Sequence, residues 1–245
     1  MTTDHRTIRR RRMKELPLII AVIAIGGWLG LQPPKSHLER VEEAAELFDA
    51  GDRAASLRIL EEVLASDPGF ARAHIERARI ALVDGEPETA ESHLRSATEA
   101  DPQSAEAWGS LGMFLFQTHR VDEAGTALER AIAVDRLDAQ NYALLGQVLE
   151  LRGQIADAHP HFEQARRLEP GVPLYWLLEA RIQWKRFDPA RARTALAGAK
   201  ASAERPFDAA ELKLLREIEE DLEIWPEGPP NHPGIPTPPP NGDGH

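Results

Sequence analysis

Small and apolar residues recur along this chain at a fixed interval of 34 residues. In each copy a small residue precedes a large apolar residue on the next predicted helix, and the apolar residues around them lie three or four places apart, on one helical face. The small position holds Ala44, Ala78, Gly112, Gly146 and Ala180, and the large position holds Leu60, Leu94, Leu128, Phe162 and Leu196. A period of about 34 residues predicts a repeated pair of α-helices.

Helix ends and close contacts follow the same interval. Pro68, Pro102 and Pro170 lie where the second helix of a pair should stop, because proline lacks the N–H and clashes with the preceding turn. The turn between the two helices holds Gly51, Gly85, His119, Gly153 and Phe187, and glycine favours a left-handed turn residue. The small positions predict that the two helices of a pair approach closely. A large side chain there would force them apart, and overpacking costs about 1–3 kcal/mol.

The copies resemble the tetratricopeptide repeat (TPR) family. The residues that match the family pattern best are Trp108, Leu111, Gly112, Leu115, Ala124, Leu128 and Ala131, followed by Tyr142, Leu145, Gly146, Leu149, Ala158, Phe162, Ala165 and Pro170. The resemblance implies helix pairs that stack into a solenoid and serve as a general protein-binding scaffold. Arg136 departs from the pattern because it stands where proline is expected, and Pro160 predicts a second helix that begins late or bends.

The predicted fold is all-α: a TPR helical solenoid of five helix–turn–helix repeats plus a capping helix, after one N-terminal transmembrane helix. The five repeats occupy residues 37–70, 71–104, 105–138, 139–172 and 173–206. Residues 207–225 form the capping helix, with Asp208 as its N-cap. Residues 226–245 are rich in proline and glycine and predict a disordered tail with polyproline-II character.

An uncharged run from Leu16 to Leu31 follows a basic head at residues 1–15. A helix of this length extends about 24 Å, somewhat less than the roughly 30 Å of a bilayer core. The sequence predicts a transmembrane anchor over residues 16–32, and the basic head keeps the N-terminus in the cytoplasm. The repeats are then expected in the periplasm, next to a bacterial inner membrane.

Two further interpretations of this segment stay open. A cleaved signal peptide would release a secreted periplasmic protein, but the small-x-small site Ala24-Ile25-Gly26 lies inside the apolar run rather than after it. Gly26 and Gly30 have the GxxxG spacing that lets two membrane helices touch, which predicts a possible homodimer.

Composition excludes several classes of function. The net charge is −11 and the chain has no cysteine, which excludes disulfides, thiolate metal sites and covalent haem attachment. An acidic chain also disfavours nucleic acid, whose phosphates require a basic face. His159 and His161 lack further ligands, and no catalytic motif is present, so we expect no enzyme activity, no metal and no cofactor.

The resemblance implies that the first helices of the pairs line a groove for a protein or peptide partner. The candidate residues at groove positions are Arg72, Arg79, Met113, Phe116, Gln117, Gln140, Gln147, Arg181 and Trp184. The aromatic residues are candidate anchors for a partner side chain, or they pack against the next repeat. The arginines are candidates for holding a carboxylate, or they form ordinary surface pairs.

The leading hypothesis is a membrane-anchored TPR scaffold that binds a partner protein through its concave face. Proteins of this layout assist the assembly of envelope complexes, for example in cytochrome c maturation, pilus formation or secretion. The lysine/asparagine carboxylate clamp of chaperone-binding TPR proteins is missing, which disfavours a cytosolic chaperone adaptor. The alternative is a permanent structural subunit of a larger membrane complex.

Overall fold

The computed structural model describes residues 35–202 and 205–226. These residues contain eleven α-helices and no strand, so the all-α prediction is confirmed. The helices are α1 His37–Asp49, α2 Arg53–Ser66, α3 Ala71–Val83, α4 Pro87–Ala100, α5 Ala105–Gln117, α6 Val121–Val134, α7 Ala139–Leu151, α8 Ile155–Leu168, α9 Pro173–Lys185, α10 Pro189–Ser202 and α11 Ala209–Ile224.

The chain divides into two compact units, and the first ends at Ser66. In its described part, α1 packs against α2. A capping box begins α1, because the Ser36 hydroxyl accepts from the Glu39 N–H at 3.2 Å while the Glu39 carboxylate accepts from the Ser36 N–H at 2.7 Å. An ion pair between Arg40 and Glu62, at 2.5 Å, links the two helices.

The second unit begins at Asp67 and contains α3 to α11. We call α3, α5, α7 and α9 the A helices, and α4, α6, α8 and α10 the B helices. Each A helix packs against the B helix that follows it, and each pair packs against the next pair. One buried cluster runs from Ala78 to Ile182, and a second lies under α11, where Leu215, Ile218 and Leu222 are buried. The second unit is therefore a helical solenoid closed by α11, as predicted.

Small residues allow the two helices of a pair to approach closely, as the sequence predicted. A Cβ atom added to Gly146 would lie 2.6 Å from Cε1 of Phe162, and one added to Gly112 would lie 2.7 Å from Cγ of Leu128. Phe162 and Leu128 are fully buried, so neither has room to retreat. The large apolar residue of the B helix thus occupies the space that the small residue of the A helix leaves free.

The five turns share one backbone geometry. The second residue after each first helix has a positive φ, at 89° for Gly51, 74° for Gly85, 60° for His119, 75° for Gly153 and 63° for Phe187. In each turn the next N–H bonds back to a carbonyl five residues earlier, as Asp188 does to Gln183 at 2.9 Å. This is the Schellman geometry, in which the left-handed residue ends the helix. The prediction of a left-handed turn residue is confirmed at all five positions.

Ring N–H groups attach the loop before three of the A helices. The Trp108 and Trp176 indoles donate to the carbonyls of Pro102 and Pro170, at 3.1 and 2.8 Å. The equivalent imidazole, His74, bonds through Nε2 to the carbonyl of Pro68 at 2.9 Å. Each ring lies six residues after its proline, so proline and aromatic residue together fix the loop that leads into the next pair.

Pro160 does not delay the start of its helix. α8 begins at Ile155, at the position equivalent to the first residue of the other B helices, and contains the proline in its second turn. The expectation of a late start is therefore wrong. Asp208 does cap α11 as predicted, since its carboxylate accepts from the Glu211 N–H at 2.8 Å.

Within residues 35–202 and 205–226, no helix has the length and apolar character that crossing a bilayer requires. The predicted anchor at residues 16–32, with Gly26 and Gly30, lies outside the described residues. The same holds for the predicted tail beyond residue 226.

The left-handed turns predict a matched pair of stability changes. His119→Gly should raise the free energy of unfolding by about 0.5–1 kcal/mol, because left-handed backbone is strained for any residue with a Cβ atom. Gly153→Ala should lower it by about 1 kcal/mol through strain alone, since no atom lies within 4 Å of an added Cβ. Thermal unfolding of the two variants followed by circular dichroism checks this, and shifts of equal sign would contradict it.

Candidate peptide-binding site

The candidate residues lie on the A helices of the second unit. Ion pairs connect neighbouring A helices directly: Arg72 on α3 bonds Glu106 on α5 at 3.1 Å, and Arg181 on α9 bonds Glu150 on α7 at 2.6 Å. The four A helices therefore present adjacent side chains. We call this surface the A-helix face, and its positions follow one another at the 34-residue interval.

Each of the three candidate arginines is paired with a carboxylate of its own chain. Besides the two pairs between helices, Arg79 bonds Glu76 one turn earlier on α3, at 2.8 Å. Their charges are thus neutralised within the molecule, as the surface-pairing interpretation expects. A partner carboxylate would have to displace Glu76, Glu106 or Glu150 before it could reach a guanidinium group.

Glu150 is the most enclosed of these anions, with 8% of its side chain exposed. It accepts from Arg181 and also from Lys185, at 2.7 Å, so two cations of α9 bracket one carboxylate of α7. Two donors of α9, Arg181 Nε and Trp184 Nε1, are buried and have no hydrogen-bond acceptor among the described residues. One carboxylate and two cations therefore link α7 to α9, beside the apolar core cluster that both helices share.

The two candidate anchors are only partly available to a partner. Phe116 is half-buried against the main core cluster, and Trp184 is half-buried against the cluster under α11. Packing against a neighbouring element thus accounts for one side of each ring. Met113 and Gln147 are also half-buried, and the Gln147 amide donates to the Ala143 carbonyl at 3.4 Å.

The polar candidates Gln117 and Gln140 are exposed, and three exposed apolar residues lie at the ends of α3 and α7. Leu82 is 41% exposed, Val83 is 71% exposed and Leu151 is 63% exposed. Val83 and Leu151 are equivalent to Gln117 in the 34-residue frame, so they belong to the same face. They are not among the candidates named from the sequence, because their exposure depends on how much of each helix end the next pair covers.

The B helices carry a different kind of contact. Arg120, the residue that precedes α6, bonds both Glu91 of α4, at 2.6 Å, and Glu123 of α6, at 2.6 Å. Arg95 of α4 also bonds Glu123. Hydrogen bonds from Arg120 hold the pKa of Glu91 and of Glu123 below its usual range. This network joins two successive pairs and leaves few free charges, so it serves the stack rather than a ligand.

Ionisable groups in the interior also serve packing. Burial raises the pKa of Glu179, although Arg166 bonds its carboxylate. The same guanidinium lies over the Trp176 ring, 4.5 Å from its centroid. Among the described residues, no group of three metal-ligating side chains comes together.

A stack of paired helices of this kind defines a helical-repeat protein. The chain belongs to the tetratricopeptide repeat family. One tetratricopeptide repeat model matches residues 41–105 and 143–209, and a second matches residues 81–148.

Curated proteins similar to this chain are longer. It is 24% identical over 152 residues to DnaJ homolog subfamily C member 3 of Gallus gallus, which covers 57% of this chain and 30% of that protein. The Rattus norvegicus protein of the same name is 23% identical over 145 residues, which covers 54% of this chain and 29% of that protein. The chain thus spans about 30% of the length of these relatives.

Solved structures show the same fold. Pseudomonas aeruginosa PilF superposes with a TM-score of 0.65 at 24% identity, over 76% of this chain and 86% of that one. PilW, a type IV pilus biogenesis factor, superposes with a TM-score of 0.64 at 20% identity, over 78% of this chain and 94% of that one. YrrB, a TPR protein with an unusual peptide-binding site, superposes with a TM-score of 0.59 at 16% identity, over 76% of this chain and 92% of that one.

The ion pairs of the A-helix face predict unequal effects of two matched substitutions. Glu150→Ala should lower the free energy of unfolding by about 1.5–3 kcal/mol, because it leaves Arg181 half-buried without an acceptor. Glu106→Ala should cost less than about 1 kcal/mol, since Arg72 and Glu106 are both well exposed. Denaturant unfolding of both variants measures the difference, and similar losses would contradict the described enclosure of Glu150.

Proposed function

We propose that this protein is a membrane-anchored TPR scaffold that binds a partner protein, or an extended peptide segment, through the A-helix face. The observation that carries the proposal is the exposure of Leu82, Val83 and Leu151 at equivalent helix ends of that face. Large apolar side chains at repeated positions gain about 25 cal/mol for each Å² that a partner removes from water.

The chemistry of the face favours an apolar or uncharged segment over a terminal carboxylate. The arginines at positions 72, 79 and 181 already hold carboxylates of the chain, so they add specificity rather than free positive charge. Exposed amides at Gln117 and Gln140 are suited to hydrogen bonds with the backbone of an extended peptide. The partly exposed rings of Phe116 and Trp184, with Met113, then offer contacts to its side chains.

The proposed setting is the periplasmic side of a bacterial inner membrane, with residues 16–32 as the anchor and residues 1–15 in the cytoplasm. The uncharged run and the basic head support this orientation. The scaffold would assist assembly of an envelope complex, such as pilus, secretion or cytochrome c maturation machinery. The similarity to PilF and PilW is consistent with the pilus case.

A second candidate is a permanent structural subunit of a larger membrane complex. Leu137, in the loop before α7, is 75% exposed and is not one of the candidate groove residues. Exposed apolar side chains are therefore not confined to one groove. A secreted form after signal cleavage is a third candidate.

The proposed membrane topology predicts where an enzyme fused to the C-terminus is active. A phosphatase fused after His245 should be active and remain with the membrane. Activity in the soluble periplasmic fraction would favour cleavage, and activity only in the cytoplasm would reverse the proposed orientation.

The A-helix face predicts where a partner should be cross-linked. A photo-reactive residue at Val83 or Leu151 should capture the same partner, whereas one at Thr126, exposed on B helix α6, should not. Val83→Asp combined with Leu151→Asp should abolish capture by a probe at Gln117, because two charges would have to be desolvated. Equal capture from Thr126 would contradict this face as the binding site.

The same cross-linking separates the scaffold from the permanent subunit. A scaffold releases and rebinds its partner. If unlabelled chain is synthesised before irradiation, capture by the older, labelled chain should therefore decline with time. Capture by the labelled chain that does not decline would favour the permanent subunit.

A further inference from the structure

The outer side of α11 is a surface that no other described helix covers. Among the described helices, α11 packs mainly against α9 and α10, and its inward residues Leu215, Ile218 and Leu222 are buried. The outward side has a shallow cavity of about 410 Å³. We call it the cap face; it is lined by Ala209, Leu212, Lys213, Arg216, Glu217 and Glu220.

Charge is divided along the cap face. Lys213 and Arg216 make its first half basic, and Glu217 and Glu220 make its second half acidic. The one ion pair described within the face, Lys213 to Glu217, spans 3.8 Å, and both side chains are mostly exposed. A pair of this kind contributes little by itself, so these charges stay available to a partner surface.

The charges of the cap face are complementary to those of a second α11 that runs in the opposite direction. If a second α11 runs antiparallel, with the two-fold axis passing between positions 216 and 217, Lys213 lies opposite the partner's Glu220. Arg216 then lies opposite the partner's Glu217. Every basic residue of one copy meets an acidic residue of the other, and the axis repeats each pair.

Apolar residues at the two ends of the cap face fit the same alignment. Ile224 is 65% exposed and lies on the side of α11 that carries Glu217 and Glu220. In the antiparallel arrangement it lies opposite Ala209 of the partner subunit, one helical turn from the partner's Leu212. The terminal helix of a solenoid usually presents a polar surface, so exposed Ile224 and Leu212 are departures that a second copy would cover.

The acidic end of α11 also benefits from nearby positive charge. Glu217, Glu220 and Asp221 lie towards the helix C-terminus, where the macrodipole is negative. Burial, together with Glu217 and Glu220, raises the pKa of Asp221. Lys213 and Arg216 of a partner subunit would reduce this crowding of like charges.

We propose that two copies of this chain associate through the cap face, with α11 antiparallel to α11 about a two-fold axis. The interface involves essentially one helix from each copy and is smaller than the roughly 800 Å² per partner of a typical stable complex. The dimer is therefore weak, with a dissociation constant of about 1–100 μM, and sensitive to salt. It is separate from any contact through Gly26 and Gly30.

The experiment uses charge reversal and its rescue in the full chain, purified in a mild non-ionic detergent. Variant one carries Lys213→Glu and Arg216→Glu, and variant two carries Glu217→Lys and Glu220→Lys. Each alone places like charges opposite each other, so association should weaken at least about tenfold relative to the unmodified chain. Mixed in equal amounts, the two variants should form a heterodimer, because every opposing pair is again of opposite sign.

Sedimentation equilibrium in density-matched detergent at low salt gives the dissociation constants, and distinct fluorescent labels identify the heterodimer. Heterodimer formation also shows that both variants are folded. The proposal is overturned if the unmodified chain is monomeric at about 100 μM, far above a typical micromolar dissociation constant. It is also overturned if both variants associate as strongly as the unmodified chain, which would place the contact elsewhere, or if the mixture shows no rescue.

Discussion

The contact on which this structure depends is the meeting of a small residue on each A helix with a large apolar residue on the following B helix. At Gly146 and Phe162 this contact leaves no room for one additional carbon atom. Because the contact recurs every 34 residues, each pair has nearly the same internal geometry and presents its A helix in the same orientation. The side chains that remain exposed on the A helices then share one face, although their identity differs from pair to pair.

The two exposed surfaces of the second unit have different recognition chemistry. On the A-helix face, carboxylates of the chain neutralise the arginines, and apolar helix ends such as Val83 remain exposed. On the cap face, basic and acidic halves are separated along one helix. The first surface suits an apolar or uncharged segment of another protein, whereas the second suits its own reversed copy.

Much of the fold was predictable because it depends on local chemistry repeated in register. Each of these signals, a small residue, a helix-ending proline or a left-handed turn residue, determines the structure of only a few neighbouring residues. His119 adopts the left-handed turn conformation although its side chain makes that conformation strained. Pro160 was misjudged because the helix starts at Ile155 in the common frame and accommodates the proline in its second turn. The role of Trp108 as a donor to Pro102 was missed, although their spacing recurs in His74 and Trp176.

The candidate site was less predictable because its properties arise between repeats. Arg72 and Glu106 are 34 residues apart with opposite charge, and this signal could have indicated their pairing. The enclosure of Glu150 and the exposure of Leu151 depend on how far α9 covers the end of α7, which the sequence does not show.

The most direct test of the account is the sign of the stability change in Gly146→Ala, measured by equilibrium denaturant unfolding. In an unhindered helix interior, alanine is more stable than glycine by about 1 kcal/mol. The close contact with the Phe162 ring predicts the opposite, a net loss of stability, because the new methyl group would overlap a buried and immobile ring. A gain of about 1 kcal/mol would show that the two helices do not meet there and would contradict the account.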